Sequence, residues 1–60
     1  MFATTIIYKN GRTERTEFKT LDDAKRYARG ECAWLDTRYA TIRNGNGTML
    51  EKMRGDYYSK

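Results

Sequence analysis

The side chains that could perform acid–base, nucleophilic or metal chemistry are few and widely spaced. The 60-residue chain contains no histidine and one cysteine, Cys32, so the usual proton carrier near neutral pH and any paired thiol ligands are missing. Asp22 and Asp23 are adjacent on a predicted helix, where they point in different directions and suit capping better than acid–base work. No glycine-rich phosphate loop leading into a helix and no serine nucleophile motif occurs. We therefore expect a protein that is not an enzyme and that binds no metal or cofactor.

Two further features resemble chemical motifs but have simpler structural explanations. Cys32 lies on the apolar stripe of the predicted helix, where a thiol acts as a small hydrophobic group; a reactive thiol is the alternative. Residues 44–47 are rich in glycine like some ligand-binding loops, but they join two predicted strands, whereas phosphate-binding loops lead into a helix. This segment therefore favours a hairpin turn.

Positive charge is the clearest indication of a partner. Twelve Lys and Arg stand against eight Asp and Glu, which gives a formal net charge of +4. The charges are interspersed, with no block of five like charges, so either an ordinary solvated surface or an anion-binding surface fits the pattern. The candidate partner-binding residues lie on the predicted helix and on the third and fourth strands: Lys25, Arg26, Arg29, Tyr39, Arg43, Lys52 and Arg54.

The first candidate surface is the side of the helix away from its apolar stripe. Lys25, Arg26 and Arg29 form a basic cluster there, and Asp22 can pair with Arg26 at i to i+4. This cluster suits either a solvated helix face or a docking face for an acidic partner.

The second candidate surface is the outer face of the predicted sheet. Basic groups interleaved with aromatic rings on an open sheet are typical of modules that stack bases and hold phosphates. The residues that could gather there are Arg15 or Arg43, Ile7, Tyr39, Thr41 and Lys52. A third candidate is the C-terminal group of Arg54, Tyr57, Tyr58 and Lys60.

The helix that positions the first cluster is predicted over residues 21–34. Thr20 is a good N-cap, and the apolar residues Leu21, Ala24, Ala28, Cys32 and Leu35 follow helical spacing. Gly30 either caps a helix that ends at Arg29 or lies inside a longer one. We favour the continuous helix because Cys32 and Leu35 keep the stripe.

Strands are predicted over residues 2–8, 12–19, 37–43 and 48–54, with a tail over 56–60. In the first hairpin, a two-residue loop at Asn10 and Gly11 would pair Lys9 with Arg12, whereas a bulged three-residue loop would pair Tyr8 with Arg12. We favour the bulged register because it gathers the large apolar side chains Phe2, Ile6, Tyr8 and Phe18 on one face and leaves Ile7 on the other.

In the second hairpin, Asn and Gly alternate over residues 44–47. Pairing of Arg43 with Thr48 would place Ile42 opposite Met49, both facing the helix together with Ala40 and Met53. The two hairpins are too small to stand alone. The predicted fold is therefore α+β, one ββαββ domain over residues 1–60, with a four-stranded antiparallel sheet and the helix packed on one face.

The helix start at residues 20–28, the cysteine in the second half of the helix and the hairpin broken by Asn and Gly resemble a group of small phage-encoded proteins. Some type I anti-CRISPR proteins and some phage inhibitors of bacterial RNA polymerase are similar in size and in this helix-initiating stretch. The resemblance implies a compact, non-enzymatic inhibitor or modulator that occupies a surface of a larger host complex, in a bacterial cytosol. The basic charge argues against mimicry of DNA.

Three partner classes follow from these patterns. The first is a host protein or ribonucleoprotein complex with an acidic surface, the second is nucleic acid, and the third is a second copy in a homodimer. No apolar run approaches the length of a membrane span, and the first residues lack the layout of a signal peptide, so we expect no membrane partner. A single cysteine does not indicate an oxidising compartment, and the cytoplasm is the expected location.

Overall fold

Four strands and one helix make up the part of the chain that the computed structural model describes, residues 1–33 and 36–55. In chain order the elements are β1 (Phe2–Tyr8), β2 (Thr13–Phe18), α1 (Leu21–Cys32), β3 (Thr37–Arg43) and β4 (Met49–Arg54). The strands form one antiparallel sheet in the order β2-β1-β3-β4. The predicted α+β class and four-stranded antiparallel sheet are confirmed, and β2 and β4 are its edges.

Helix α1 begins where the capping residue predicts. The amide of Asp23 donates to Thr20 Oγ1 at 3.2 Å, which satisfies one of the unpaired groups of the first turn. Gly30 lies inside the helix, as the favoured alternative predicted, and α1 runs to Cys32 with Ala33 as its C-cap. The predicted extension to residue 34, the role of Leu35 and the tail over 56–60 lie outside the described residues. Within the described residues, no helix is long and apolar enough to cross a membrane.

Small side chains let α1 lie close to the two central strands. Ala24, Ala28 and Cys32 are fully buried against core residues from three strands. Those residues are Ile6, Ala40, Ile42 and Met53. The fully buried Thr4 hydroxyl donates to the carbonyl of Ala24 at 3.3 Å, so this polar group in the core has a partner on the helix.

The first hairpin adopts the bulged register. The amide of Tyr8 donates to the carbonyl of Arg12 at 2.8 Å, and the amide of Gly11 donates to the carbonyl of Tyr8 at 3.0 Å. Gly11 has a φ of 90°, which L-residues with a side chain rarely adopt. Phe2 then lies opposite Phe18, on the face that the helix covers. The preference for grouping large apolar side chains therefore identified the correct register.

The predicted register of the second hairpin is wrong. Arg43 lies opposite Met49 rather than Thr48, and a bulge places Glu51 rather than Met49 opposite Ile42. Met49 is 46% exposed and does not join the core.

The side chain of Asn44 explains the shift. Its Oδ1 accepts hydrogen bonds from the backbone amides of Asn46 and Thr48 at 2.9 and 3.0 Å. The backbone amide of Asn44 in turn donates to the carbonyl of Thr48. This Asx-type network pairs Thr48 with Asn44, whereas the prediction paired Thr48 with Arg43. Met49 therefore takes the place opposite Arg43.

Two glycines provide a matched test of the packing. A Cβ at Gly55 would lie 1.7 Å from the Thr37 carbonyl oxygen, so Gly55→Ala must displace backbone at the start of β3. A Cβ at Gly30 meets no atom within 4 Å in a helix interior. We expect Gly55→Ala to lower the free energy of unfolding by about 1–3 kcal/mol or more. Gly30→Ala should raise it by about 0.5–1 kcal/mol. Chemical denaturation measures both, and equal effects of the two substitutions would contradict the close approach at Gly55.

Candidate binding surfaces

The face of the sheet opposite α1 is the larger candidate surface, and we call it the outer face. Strand alternation assigns its members, because Thr4, Ile6, Ala40, Ile42 and Met53 point towards the helix and their neighbours point away. The residues of the outer face are Ala3, Thr5, Ile7, Thr13, Arg15, Glu17, Tyr39, Thr41, Arg43, Met49, Lys52 and Arg54.

A polar row crosses the middle of the outer face. The register places Arg15 beside Thr5, Thr5 beside Thr41, and Thr41 beside Lys52, one residue from each strand. At about 4.8 Å between strands, the two terminal residues stand about 14 Å apart across a floor of short side chains. The row therefore presents cations at both ends of a shallow, uncharged centre.

The neighbouring row carries the apolar part of the surface. Ile7 lies opposite Tyr39, which in turn lies opposite Arg54 on the edge strand. Both Ile7 and Tyr39 are half-buried, and Lys52 Nζ lies 4.6 Å from the centroid of the Tyr39 ring. This cation–π contact holds a positive charge over an aromatic ring that remains partly accessible.

A groove of about 280 Å³ opens at the other end of the outer face. Arg15 and Arg43 flank it, and the small residues Ala3 and Thr5 contribute to its lining. Arg15 Nη2 lies 3.1 Å from a carboxylate oxygen of Glu17. Arg43 Nη1 donates to the carbonyl of Gly47 at 2.9 Å. Both guanidinium groups are thus held in place beside the groove, with donors to spare.

The charge on the outer face is strongly one-sided. Among its described residues, the basic side chains of Arg15, Arg43, Lys52 and Arg54 are opposed by the single carboxylate of Glu17. The structure brings together all the residues predicted for an open sheet surface, and it includes both Arg15 and Arg43, where the sequence left one or the other.

The helix surface differs from the prediction in two ways. Lys25 is half-buried and faces β4, with its Nζ 3.9 Å from Glu51 Oε2. Arg26 and Asp22 form no ion pair, although both are described and exposed. Glu51 lies opposite the core residue Ile42, on the side of β4 that α1 covers, and this places its carboxylate within reach of Lys25.

Arg26 and Arg29 remain exposed on α1, on the opposite side of the molecule from the outer face. The seven predicted partner-binding residues therefore do not form one surface. Tyr39, Arg43, Lys52 and Arg54 share the outer face, whereas the helical residues lie behind it. Tyr57, Tyr58 and Lys60, which the sequence grouped with Arg54, lie outside the described residues.

Sequence reasoning did not identify a third feature, at the end of the sheet beside the first hairpin. The Tyr8 hydroxyl donates to Glu31 Oε1 at 3.0 Å and so joins β1 to the last turn of α1. Burial, followed by the hydrogen bond and charge of Glu31, raises the pKa of Tyr8 to about 12. An open cavity of about 770 Å³ lies alongside, lined in part by Arg12 and Asp36. The pair could not be predicted because it joins residues far apart in sequence.

Cys32 is placed as the core interpretation predicted. The side chain is fully buried, and its thiol lies 3.7 Å from the carbonyl of Met53. Burial, together with the nearby charge of Glu31, raises the pKa of the Cys32 thiol, so the protonated form dominates near neutral pH. In the described part of the chain, no group of three His, Cys, Asp or Glu residues could hold a metal ion.

No family model, curated protein or solved structure matches this chain. The geometry and charge of the described residues are therefore the basis on which a function can be inferred.

The Tyr8 phenol should ionise late in an alkaline titration. Its pKa is raised in the folded state, so the stabilisation that it provides is complete below about pH 10 and lost as the pH rises through about 12. In an alkaline titration of the native protein followed by ultraviolet difference absorbance, Tyr8→Phe should therefore lack the transition that occurs at the highest pH in the wild type. Glu31→Gln should move that component to lower pH, because it removes the carboxylate that accepts the hydrogen bond. Loss of an early-ionising phenol in Tyr8→Phe would contradict the assignment.

Proposed function

We propose that this protein is a small non-enzymatic binding domain whose outer face binds single-stranded nucleic acid. The observation that carries the proposal is the concentration of basic residues around an uncharged centre and the partly accessible ring of Tyr39. The basic side chains attract the phosphates of a polyanion, and a base can stack on the ring.

The shape of the surface favours a single strand over a duplex. The major groove of B-DNA is about 12 Å wide and admits a helix or a two-stranded ribbon. The outer face spans four strands, about 14 Å between the axes of the edge strands, and so is too broad to enter it. Splayed bases and a flexible backbone can follow such a surface.

Helix α1 is a poorer nucleic-acid surface. Asp22 and Asp23 are exposed in its first turn, so two carboxylates lie within one helical turn of the guanidinium of Arg26. Among the described residues of the outer face there is one carboxylate, that of Glu17, and it is already paired with Arg15. Phosphates would therefore meet less repulsion on the sheet than on the helix.

A second candidate function is a protein-binding inhibitor or modulator of the phage type that the sequence resembles. The exposed Arg26 and Arg29 on α1 favour it, because they lie on a surface that the nucleic-acid proposal does not use. In that function the helix would dock on an acidic surface of a larger host complex in the bacterial cytosol.

Binding to a fluorescent homopyrimidine oligonucleotide tests the first proposal. Arg43→Glu should weaken affinity by roughly tenfold or more, whereas Arg26→Glu changes the net charge equally on the opposite side and should have little effect. Tyr39→Leu should weaken affinity by roughly tenfold because it removes the stacking ring, and Tyr39→Phe should not. The logarithm of affinity against that of salt concentration should have a slope between about −2 and −3, for three or four phosphates. Equal losses in Arg43→Glu and Arg26→Glu, or binding that ignores salt, would overturn the proposal.

Capture of partners from a nuclease-treated bacterial lysate tests the second candidate. A stoichiometric protein should remain bound to the wild-type chain and be lost in Arg26→Glu/Arg29→Glu. The control variant Arg43→Glu/Lys52→Glu carries the same net charge on the other side and should retain that protein. Retention of the partner by both double variants would contradict docking through the helix.

A further inference from the structure

We propose that β2 pairs with β2 of a second copy of this chain, so that two sheets join into one antiparallel sheet of eight strands. The proposal is independent of nucleic-acid binding. It depends on the direction of the backbone groups along this edge and on the order of charges in the strand.

The first hairpin determines which backbone groups of β2 are already used. Hydrogen bonds from Tyr8 to Arg12 and from Gly11 to Tyr8 show that the polar groups of Tyr8 point towards β2. Backbone groups of successive residues alternate in direction, so every second residue of β1 bonds β2. Their register partners on β2, Glu14 and Thr16, therefore direct their amide and carbonyl groups inwards.

The intervening residues of β2 face the other way. Thr13, Arg15 and Glu17 direct their backbone amides and carbonyls outwards, along an edge that no other described strand covers. Such a row of unpaired groups is a template for another strand. The side chains of these same three residues lie on the outer face.

The charges on this strand select one register. A two-fold axis perpendicular to the sheet keeps both helices on the same face and pairs one residue with itself. With the axis at Thr16, Arg15 lies opposite Glu17 of the second copy, and Glu17 opposite its Arg15. These are also the residues whose backbone groups point outwards, so each cross-strand ion pair coincides with a pair of backbone hydrogen bonds.

Neighbouring registers are disfavoured. An axis at Arg15 or at Glu17 would place two like charges directly opposite each other. Charged edge strands commonly prevent pairing, but here the same charges exclude the wrong registers and favour one. Because Arg15 and Glu17 are already 3.1 Å apart within the chain, the dimer would join four alternating charges into a ring.

The other edge does not have this complementarity. An axis at Glu51 or at Lys52 places identical charges together on β4, and an axis at Met53 places Lys52 opposite Arg54. Self-pairing through β4 therefore brings like charges together in each of these registers. The dimer we propose uses β2 and leaves β4 at both ends of the joined sheet.

Sedimentation equilibrium of the full chain, without nucleic acid, tests the proposal. The wild type should show a concentration-dependent rise from monomer to dimer mass. Arg15→Glu and Glu17→Arg should each weaken dimerisation by roughly tenfold or more, because two cross-strand attractions become repulsions. The exchange Arg15→Glu/Glu17→Arg restores opposite charges at the axis and should restore the dimer.

The design separates this effect from net charge and from folding. The single variants change the net charge from +4 to +2 and to +6, so a general charge effect would move them in opposite directions. Circular dichroism at low concentration shows whether each variant is folded. A monomer mass for the folded wild type up to millimolar concentration would overturn the proposal, as would a dimer that both single variants leave unchanged. A monomeric wild type would not contradict oligonucleotide binding, since the oligonucleotide assay tests Arg43 and Tyr39 within one copy of the chain.

Discussion

The close contact of α1 with β1 and β3 is the constraint on which the rest of the structure depends. Ala24 and Ala28 are fully buried and carry the smallest side chains that still favour a helix, so the helix backbone approaches the sheet closely. That proximity lets the Thr4 hydroxyl reach the carbonyl of Ala24. A larger side chain at either alanine would separate the layers and leave this buried hydroxyl without its partner.

One helix of twelve residues covers one face of the sheet, and within residues 1–33 and 36–55 no other element covers the opposite face. The outer face has short polar side chains in its centre and long basic side chains around them. The long lysine and arginine side chains can cover apolar surface, and the Lys52 ammonium lies over the ring of Tyr39. The same arrangement that keeps an open sheet hydrated concentrates positive charge on it, so the stability of the fold and the binding surface have a common origin.

The sequence predicted the features that depend on apolar grouping and failed where a single polar side chain decides. Collecting Phe2, Ile6, Tyr8 and Phe18 on one face was sufficient to identify the bulged first hairpin. The second hairpin has few large apolar groups to fix its register, and the Asn44 side chain decided it instead. Lys25 was misplaced for another reason: its partner Glu51 is far away in sequence, and helical spacing alone does not reveal a contact between α1 and β4. The outer face was predictable from alternation, since a bulge in β4 changes which residues oppose each other but leaves Lys52 and Arg54 outward.

The strand order has a consequence for how the chain folds. Each hairpin joins strands that are neighbours in sequence and needs only a short loop to close, but β1 and β3 come from opposite halves of the chain. Pairing of β1 with β3 requires closure of a long loop that includes the whole of α1. Because this closure costs more conformational entropy than either hairpin does, the β1–β3 pairing is expected to form last. It is also the seam along which the core is divided, because Ile6 lies on one side of it and Ala40 and Ile42 on the other. Amide protons in this seam should therefore exchange only when the whole molecule opens, whereas those at the two hairpin loops exchange through local fraying.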